Sequence, residues 1–249
     1  MSGVRALYDV HGHFLPAMDD GCKTVEESLQ ALEMAQKQGV TAMFATPHYY
    51  PVETVGKFLE RREAAADRLK EGLAQAEHAV PQIVLGAEVA CRPGLSQDPE
   101  LSKLCLGGTE YLLLELPWRG WGNETLREIR NITYTCGLIP VMAHLERYVR
   151  MVPWEMIQKV LEQDVLVQVN AESFLSFSGR QSIKKLMRHT PIHLLGADCH
   201  NLTGRAPNMG QAAAYMEKHK MEYILDDACE LGEQILMQAK EEYIVRPGA

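Results

Sequence analysis

Residues 6–21 read ALYDVHGHFLPAMDDG. A short, mostly apolar run ends in two histidines one residue apart, and a double aspartate follows. Side chains alternate along a strand, so His11 and His13 share one face of an extended segment. Such a pair is either a grip for a metal ion at the mouth of a barrel or ordinary polar decoration of a strand end. The rest of the chain decides between them.

Runs rich in apolar and β-branched residues recur after this one. They are Ala6–Val10 itself, Thr41–Thr46, Gln82–Val89, Glu110–Leu116, Leu138–Ala143, Val165–Asn170 and His193–Ala197. Each is short and apolar on both faces, the pattern of parallel strands covered by helices. Helical patterns lie between them. Thr24–Gly39 is the clearest, with Thr24 and Glu27 at capping-box spacing, an apolar stripe of Val25, Leu29 and Leu32, and Gly39 as a stop. Gly56–Ala76 predicts a long charged helix, and others are expected around Glu124–Cys136, Pro153–Gln163, Ser182–His189, Gly210–His219 and Asp226–Glu241. Seven strand–helix units predict a closed barrel or a doubly wound sheet. No glycine-rich phosphate loop follows the first strand, so the seven-stranded (β/α) barrel is the expectation, as a single domain over residues 1–249.

A barrel of this kind gathers its chemistry at the C-terminal ends of its strands. Read in order, those ends carry His11 and His13, then His48, Glu88, Glu115, His144, the weaker case of Asn170, and Asp198 with His200; Asp20 follows the first strand by a short loop. Buried carboxylates are costly unless they are paired or hold a metal. Five histidines and four carboxylates supply enough ligands for more than one ion. Nitrogen and oxygen donors without cysteine suit manganese, iron or zinc better than calcium or magnesium. His78, His189, His193 and His219 fall away from the strand ends and read as ordinary polar residues. Tyr49 and Tyr50 are equally suited to lining a pocket and to packing, and Trp118 and Trp121 to packing or to capping the site.

Bulk composition narrows the function. The chain has 249 residues and a formal net charge of −8, against a general nucleic-acid binder, although a local basic pocket is compatible with that total. Six cysteines without a C-x-x-C pair read as reduced thiols, which suits the cytoplasm. The opening residues are not a signal peptide, and no apolar stretch is long enough to span a membrane. One rival is written in the same residues. Cys199 and Arg205 stand at the C-x5-R spacing of cysteine-based tyrosine phosphatases, but Asp198 beside the thiol would raise its pKa, and Ala206 stands where that chemistry wants a hydroxyl. A barrel hydrolase of C–N bonds and a non-enzymatic binding module for a kinase also stay open.

The motifs DVHGHFLPAMDDGCKTVEESL, GVTAMFATPHYYP, LGAEV, LLLELP, AHLERY and GADCHNLTGRAP, spread over residues 9–207, resemble the polymerase and histidinol phosphatase (PHP) superfamily. Within it they are similar to the manganese-dependent protein-tyrosine phosphatases of bacterial capsule and exopolysaccharide operons. The histidinol phosphatase branch, which would make the chain a small phosphomonoesterase, fits less well because it lacks the tight DDG run. The resemblance implies a distorted seven-stranded barrel and a three-metal centre held by His11, His13, Asp20, His48, Glu88, Glu115, His144, Asp198 and His200. It implies phosphate contacts from Arg147 and Arg205, attack by a metal-bound hydroxide, and a phosphotyrosine protein as substrate, the tyrosine-rich tail of a bacterial tyrosine kinase. Asp19 is a candidate general acid only as the neighbour of a ligand. Three positions depart from the family's pattern: Gly12 for a usual serine or cysteine, Leu145 for a usual proline, and Cys199 for a small residue.

Overall fold

A computed structural model of the chain describes residues 5–76, 79–118 and 120–246. His78 lies outside the described residues. The first strand, β1 (Leu7–Gly12), is followed by α1 (Val25–Lys37), β2 (Val40–Ala45), the two-residue β3 (His48–Tyr49) and α2 (Val55–Leu73). Then come β4 (Gln82–Leu85), β5 (Glu88–Ala90), β6 (Tyr111–Glu115), α3 (Asn123–Tyr134), β7 (Ile139–Met142), α4 (Leu145–Tyr148) and α5 (Trp154–Leu161). The last part holds β8 (Leu166–Asn170), α6 (Glu172–Leu175), α7 (Phe177–Leu186), β9 (Leu194–Gly196), α8 (Met209–Lys218), α9 (Glu222–Gln238) and β10 (Ile244–Val245).

Local chemistry explains the best-read elements. The Thr24 hydroxyl accepts from the Glu27 backbone N–H at 3.2 Å and so caps α1. The Glu27 carboxylate does not return to Thr24; it accepts from the Lys23 N–H. Thr54 caps α2 in the same way through Lys57.

The strands form a curled, almost wholly parallel wall. One sheet has the order β1-β2-β4-β10 and the other β3-β5-β6-β7-β8-β9, with only β10 antiparallel, against β4. This differs from one continuous seven-stranded ladder. The second expected strand ends before Pro47 as read, with His48 and Tyr49 forming a separate short strand beyond it, and the third is broken at Gly86–Ala87. Hydrogen bonds bridge the breaks, from Gly86 N–H to Ala45 O and from Glu88 N–H to Pro47 O. At the other seam, β1 meets the segment after β9 through a single bridge, Gly12 to Cys199, with Asp198 N–H donating to His11 O and His13 N–H to Cys199 O.

Two apolar clusters hold the wall. The larger lies between the sheets and the helices and includes Leu32, Phe58, Leu69, Leu112, Leu114, Val167 and Val169. The smaller contains Val10, Phe44, Val84, Leu113, Val141 and Leu194. Leu113 and Glu115 share a face by strand alternation, so this inner cluster floors the concave side on which the polar residues collect. Among the described residues no helix is long and apolar enough to cross a membrane.

Candidate metal centre

The structure brings all nine expected ligand residues to one end of the wall. Glu88 is the hub. It is 1% exposed, and its two carboxylate oxygens face four imidazoles. Oε2 lies 3.2 Å from both His11 Nε2 and His13 Nε2 and 3.0 Å from His48 Nδ1, and Oε1 lies 2.9 Å from His144 Nε2. Asp20 Oδ1 lies 3.3 Å from His200 Nε2 and 3.4 Å from His48 Nε2. Asp198 Oδ1 lies 3.6 and 3.5 Å from the same His11 and His13 nitrogens. Three groups have ligand atoms that all fall within 4.8 Å of one another: His13, Asp20, His48 and His200; His11, His13 and Asp198; His48, Glu88 and Glu115. His144 joins through Glu88.

The donor set fits divalent cations and fits poorly without them. His11 Nε2 and His13 Nε2 stand 3.2 Å apart, close enough that one must carry a proton to bind the other, a proton that a shared ion would replace. Glu88 Oε2, His48 Nδ1, His144 Nδ1 and His200 Nε2 are buried without a hydrogen-bond partner, a costly arrangement for polar atoms. Electrostatics carry the same strain. Burial opposes charge on His13, yet Asp19 and Glu88 raise its pKa to about 10. Burial and the neighbouring His13 push His200 down to about 4. Burial and the charge of Glu88 raise Glu115 to about 7.

The scaffold around the donors is specific. Asp19 Oδ2 lies 2.7 Å from His13 Nδ1 and accepts from His48 N–H at 2.9 Å, while its Oδ1 accepts from Gly21 N–H. These contacts outweigh burial and hold Asp19 well below the usual carboxylate range. Gly21 is needed by close approach, since a Cβ there would stand 1.8 Å from His13 O. His144 and Asp198 both have positive φ, 35° and 52°, a strained backbone that non-glycine residues adopt mainly where function demands it.

Gln168 and Asp9, which the sequence reading passed over, complete the site together with Asn170, the weaker case named there. Gln168 Oε1 lies 3.2 Å from His11 Nδ1 and accepts from His144 N–H at 2.7 Å. Gln168 Nε2 donates to Asn170 Oδ1, and Asn170 Nδ2 donates to Asp198 Oδ2. Asp9, fully buried, accepts from Ala197 N–H and ties β1 to β9. The signal for Gln168 was present in VQVN, a polar side chain on the inward face of an otherwise apolar strand.

Arg147 and Arg205 converge on one carboxylate from opposite sides. Arg147 donates to Asp198 Oδ2 at 2.6 Å and Arg205 to Oδ1 at 2.8 Å, each still about one-third exposed. Cys199 is placed otherwise. It is 1% exposed, burial pushes its thiol well above the ordinary value, and Arg205 faces Asp198 instead of the sulfur. The cysteine-nucleophile reading is therefore set aside. Tyr49 packs edge-on against Phe58 in the core, whereas Tyr50 stacks on His48 with ring centroids 5.3 Å apart. Trp121 packs on Tyr148, and Trp118 is exposed. His189 packs on Trp154, His193 Nδ1 accepts from Val167 N–H, and His219 lies against Tyr215, all remote from the cluster.

Known proteins share this arrangement of chain. A family model described as capsular polysaccharide synthesis, CpsB/CapC, matches residues 7–236. The tyrosine-protein phosphatase YwqE of Bacillus subtilis (strain 168) is 29% identical over 238 residues, covering 90% of this chain and 91% of its own. The tyrosine-protein phosphatase CpsB of Streptococcus pneumoniae is 27% identical over 218 residues, covering 83% and 88%. A solved structure from work on these two proteins, described as metal-dependent tyrosine phosphatases, superposes with a TM-score of 0.79 at 25% identity over 95% of this chain and 96% of that one. A Xaa-Pro dipeptidase superposes at 0.51 with 10% identity over 98% of this chain and 77% of its own, a likeness of fold alone.

Proposed function

From the premise that the chain belongs to the CpsB/CapC family, we propose that it is a metal-dependent protein-tyrosine phosphatase of capsular or exopolysaccharide synthesis. The observation that carries the reading is the junction at Asp198. A carboxylate that belongs to the imidazole cluster is gripped by two arginines whose guanidinium groups reach the open edge of that cluster.

His11, His13, Asp20, His48, Glu88, Glu115, His144, Asp198 and His200 would hold up to three ions, manganese by preference, with iron and zinc compatible with the same donors. Bound divalent ions at such a centre supply Lewis acidity and a water that deprotonates near neutral pH. The remaining work falls to the chain. Arg147 and Arg205 orient the phosphoryl group through fixed charged forks. Gln168 and Asp19 set the direction of the His11 and His13 rings, as outer partners of ligand histidines do. Asp19 is cast here as an orienting residue, because a carboxylate that accepts three contacts and stays ionised has no proton to give. A tyrosine phenol, with a pKa near about 10, leaves more readily than an alkoxide and asks less of a general acid.

The reading also takes the seven strand units to act as a closed barrel within one domain. It takes the six unpaired cysteines to reflect a cytoplasmic setting, and the substrate to be the phosphorylated tyrosine-rich tail of a bacterial tyrosine kinase. The test is an activity panel on chelator-stripped protein and on protein reloaded with manganese, iron or zinc. It compares phosphotyrosine peptides, phosphoserine peptides and histidinol phosphate. Hydrolysis that depends on added metal and favours phosphotyrosine is expected. Full activity in the stripped protein would overturn the reading.

A further inference from the structure

A groove of about 440 Å³ is lined by Val149, Arg150, Gln181, Ser182, Lys184, Lys185 and Arg188. Four of these are cations, in a chain whose net charge is −8. Among the described residues none of the four forms an ion pair, whereas Arg147 and Arg205 both do. Arg150, Lys184 and Arg188 are exposed, and Lys185 is held with its ammonium 4.3 Å from the centre of the Trp154 ring. The groove is joined to the site by the chain itself. His144 belongs to the cluster, Arg147 reaches Asp198, and Arg150 follows one turn later on the same short segment.

We propose that this groove receives the acidic flank of a phosphotyrosyl polypeptide whose phosphate occupies the site. The assignment rests on the phosphatase reading for its substrate. Unpaired cations in an acidic protein attract carboxylates at longer range than a neutral surface would, and complementary charge of this kind selects among partners. A bounded groove with four cations in a chain of net charge −8 suits a peptide segment better than a nucleic acid, which needs an extended basic face.

The test uses the full chain and a triple variant, Arg150→Gln, Lys184→Gln and Arg188→Gln, which spares every residue placed in the site. Two phosphotyrosine peptides of equal length are compared, one flanked by glutamates and one by glutamines, with phenyl phosphate as the small substrate. The variant should raise KM for the glutamate peptide about tenfold, the scale of losing two or three surface ion pairs. Its kcat, the glutamine peptide and phenyl phosphate should change less than twofold. Equal effects on both peptides, or no effect on either, would overturn the groove assignment. So would a variant that loses binding to anionic vesicles or a single-stranded oligonucleotide while both peptides behave as before. If the wild-type protein hydrolyses none of the substrates, the phosphatase reading fails separately. Fluorescence anisotropy with an unphosphorylated glutamate-rich peptide then still decides the groove, by whether the triple variant loses wild-type binding.

Discussion

The Cys199 sulfur lies 3.3 Å from where a Cβ on Gly12 would stand, across the one bridge that joins β1 to the segment after β9. Two of the three positions at which the resemblance was imperfect, Gly12 and Cys199, therefore face each other across the seam. Gly12→Ser should cost about 1–3 kcal/mol by overpacking. Part of that cost should return in a Cys199→Gly background, and part should remain because Phe14 also crowds position 12. Denaturant melts of the four proteins in the cycle measure the coupling, and strictly additive effects would contradict it. Cys199→Ala alone should keep phosphatase activity.

Gln168 braces both His11 and the backbone of His144. Gln168→Ala should weaken metal affinity about 10- to 100-fold, the usual effect of removing an outer partner of a ligand histidine. Competition against a chelator of known affinity reads this directly. Unchanged affinity would mean that the cluster is rigid without it.

Arg147 and Arg205 separate two roles that activity alone confuses. Arg205→Ala should lower kcat/KM about 10²-fold or more, as removal of one preorganised charge donor does. Its metal content should match the wild type. A parallel fall in bound metal would show that the arginine serves Asp198 and not the phosphate.

Glu146 is buried between α4 and β8, where it accepts from Asn170 N–H and Ser173 Oγ, and burial raises its pKa from the ordinary 4.5 to about 7. A carboxyl with a raised folded-state pKa binds its proton more tightly when folded. Its contribution to stability is thus full below about pH 4.5 and is lost as pH rises through about 7. Glu146→Gln can keep both acceptor contacts without the charge. Its advantage in unfolding free energy over the wild type should grow between pH 5 and pH 8, to at most about 3 kcal/mol. Melts of chelator-treated proteins across that range check it, and a difference that shrinks with pH would be the wrong sign.

Much of this was legible in the sequence because polar side chains are conspicuous at the ends of apolar strands. His11, His13, His48, Glu88, Glu115, His144, Asp198 and His200 each follow or end such a run, and they meet. Asp20 was picked out by its place in the short loop after the first strand, although a double aspartate before glycine also reads as a turn. The short α4 and α6 were missed because four residues carry no periodicity. β10 was missed because two residues carry no alternation either. The breaks that separate β2 from β3 and β4 from β5 fall at Pro47 and Gly86, residues that interrupt strands locally, and only the meeting of His48 and Glu88 beyond them needed the assembled site. The basic groove was equally invisible, because Arg150 and Lys184 are neighbours only once α4 packs on α7.

The donors span His11 to His200, and the seam between β1 and the segment after β9 is what brings the first of them to the last. Two of the three ligand groups, the one with His200 and the one with Asp198, stay incomplete until the two ends of the chain meet, whereas His48, Glu88 and Glu115 all lie in the first half. Retention of the full complement of metal would therefore report that the whole circuit of strands has assembled, and ions held by the groups that include Asp198 and His200 would act as a late ratchet on folding, stabilising chains whose two ends have met.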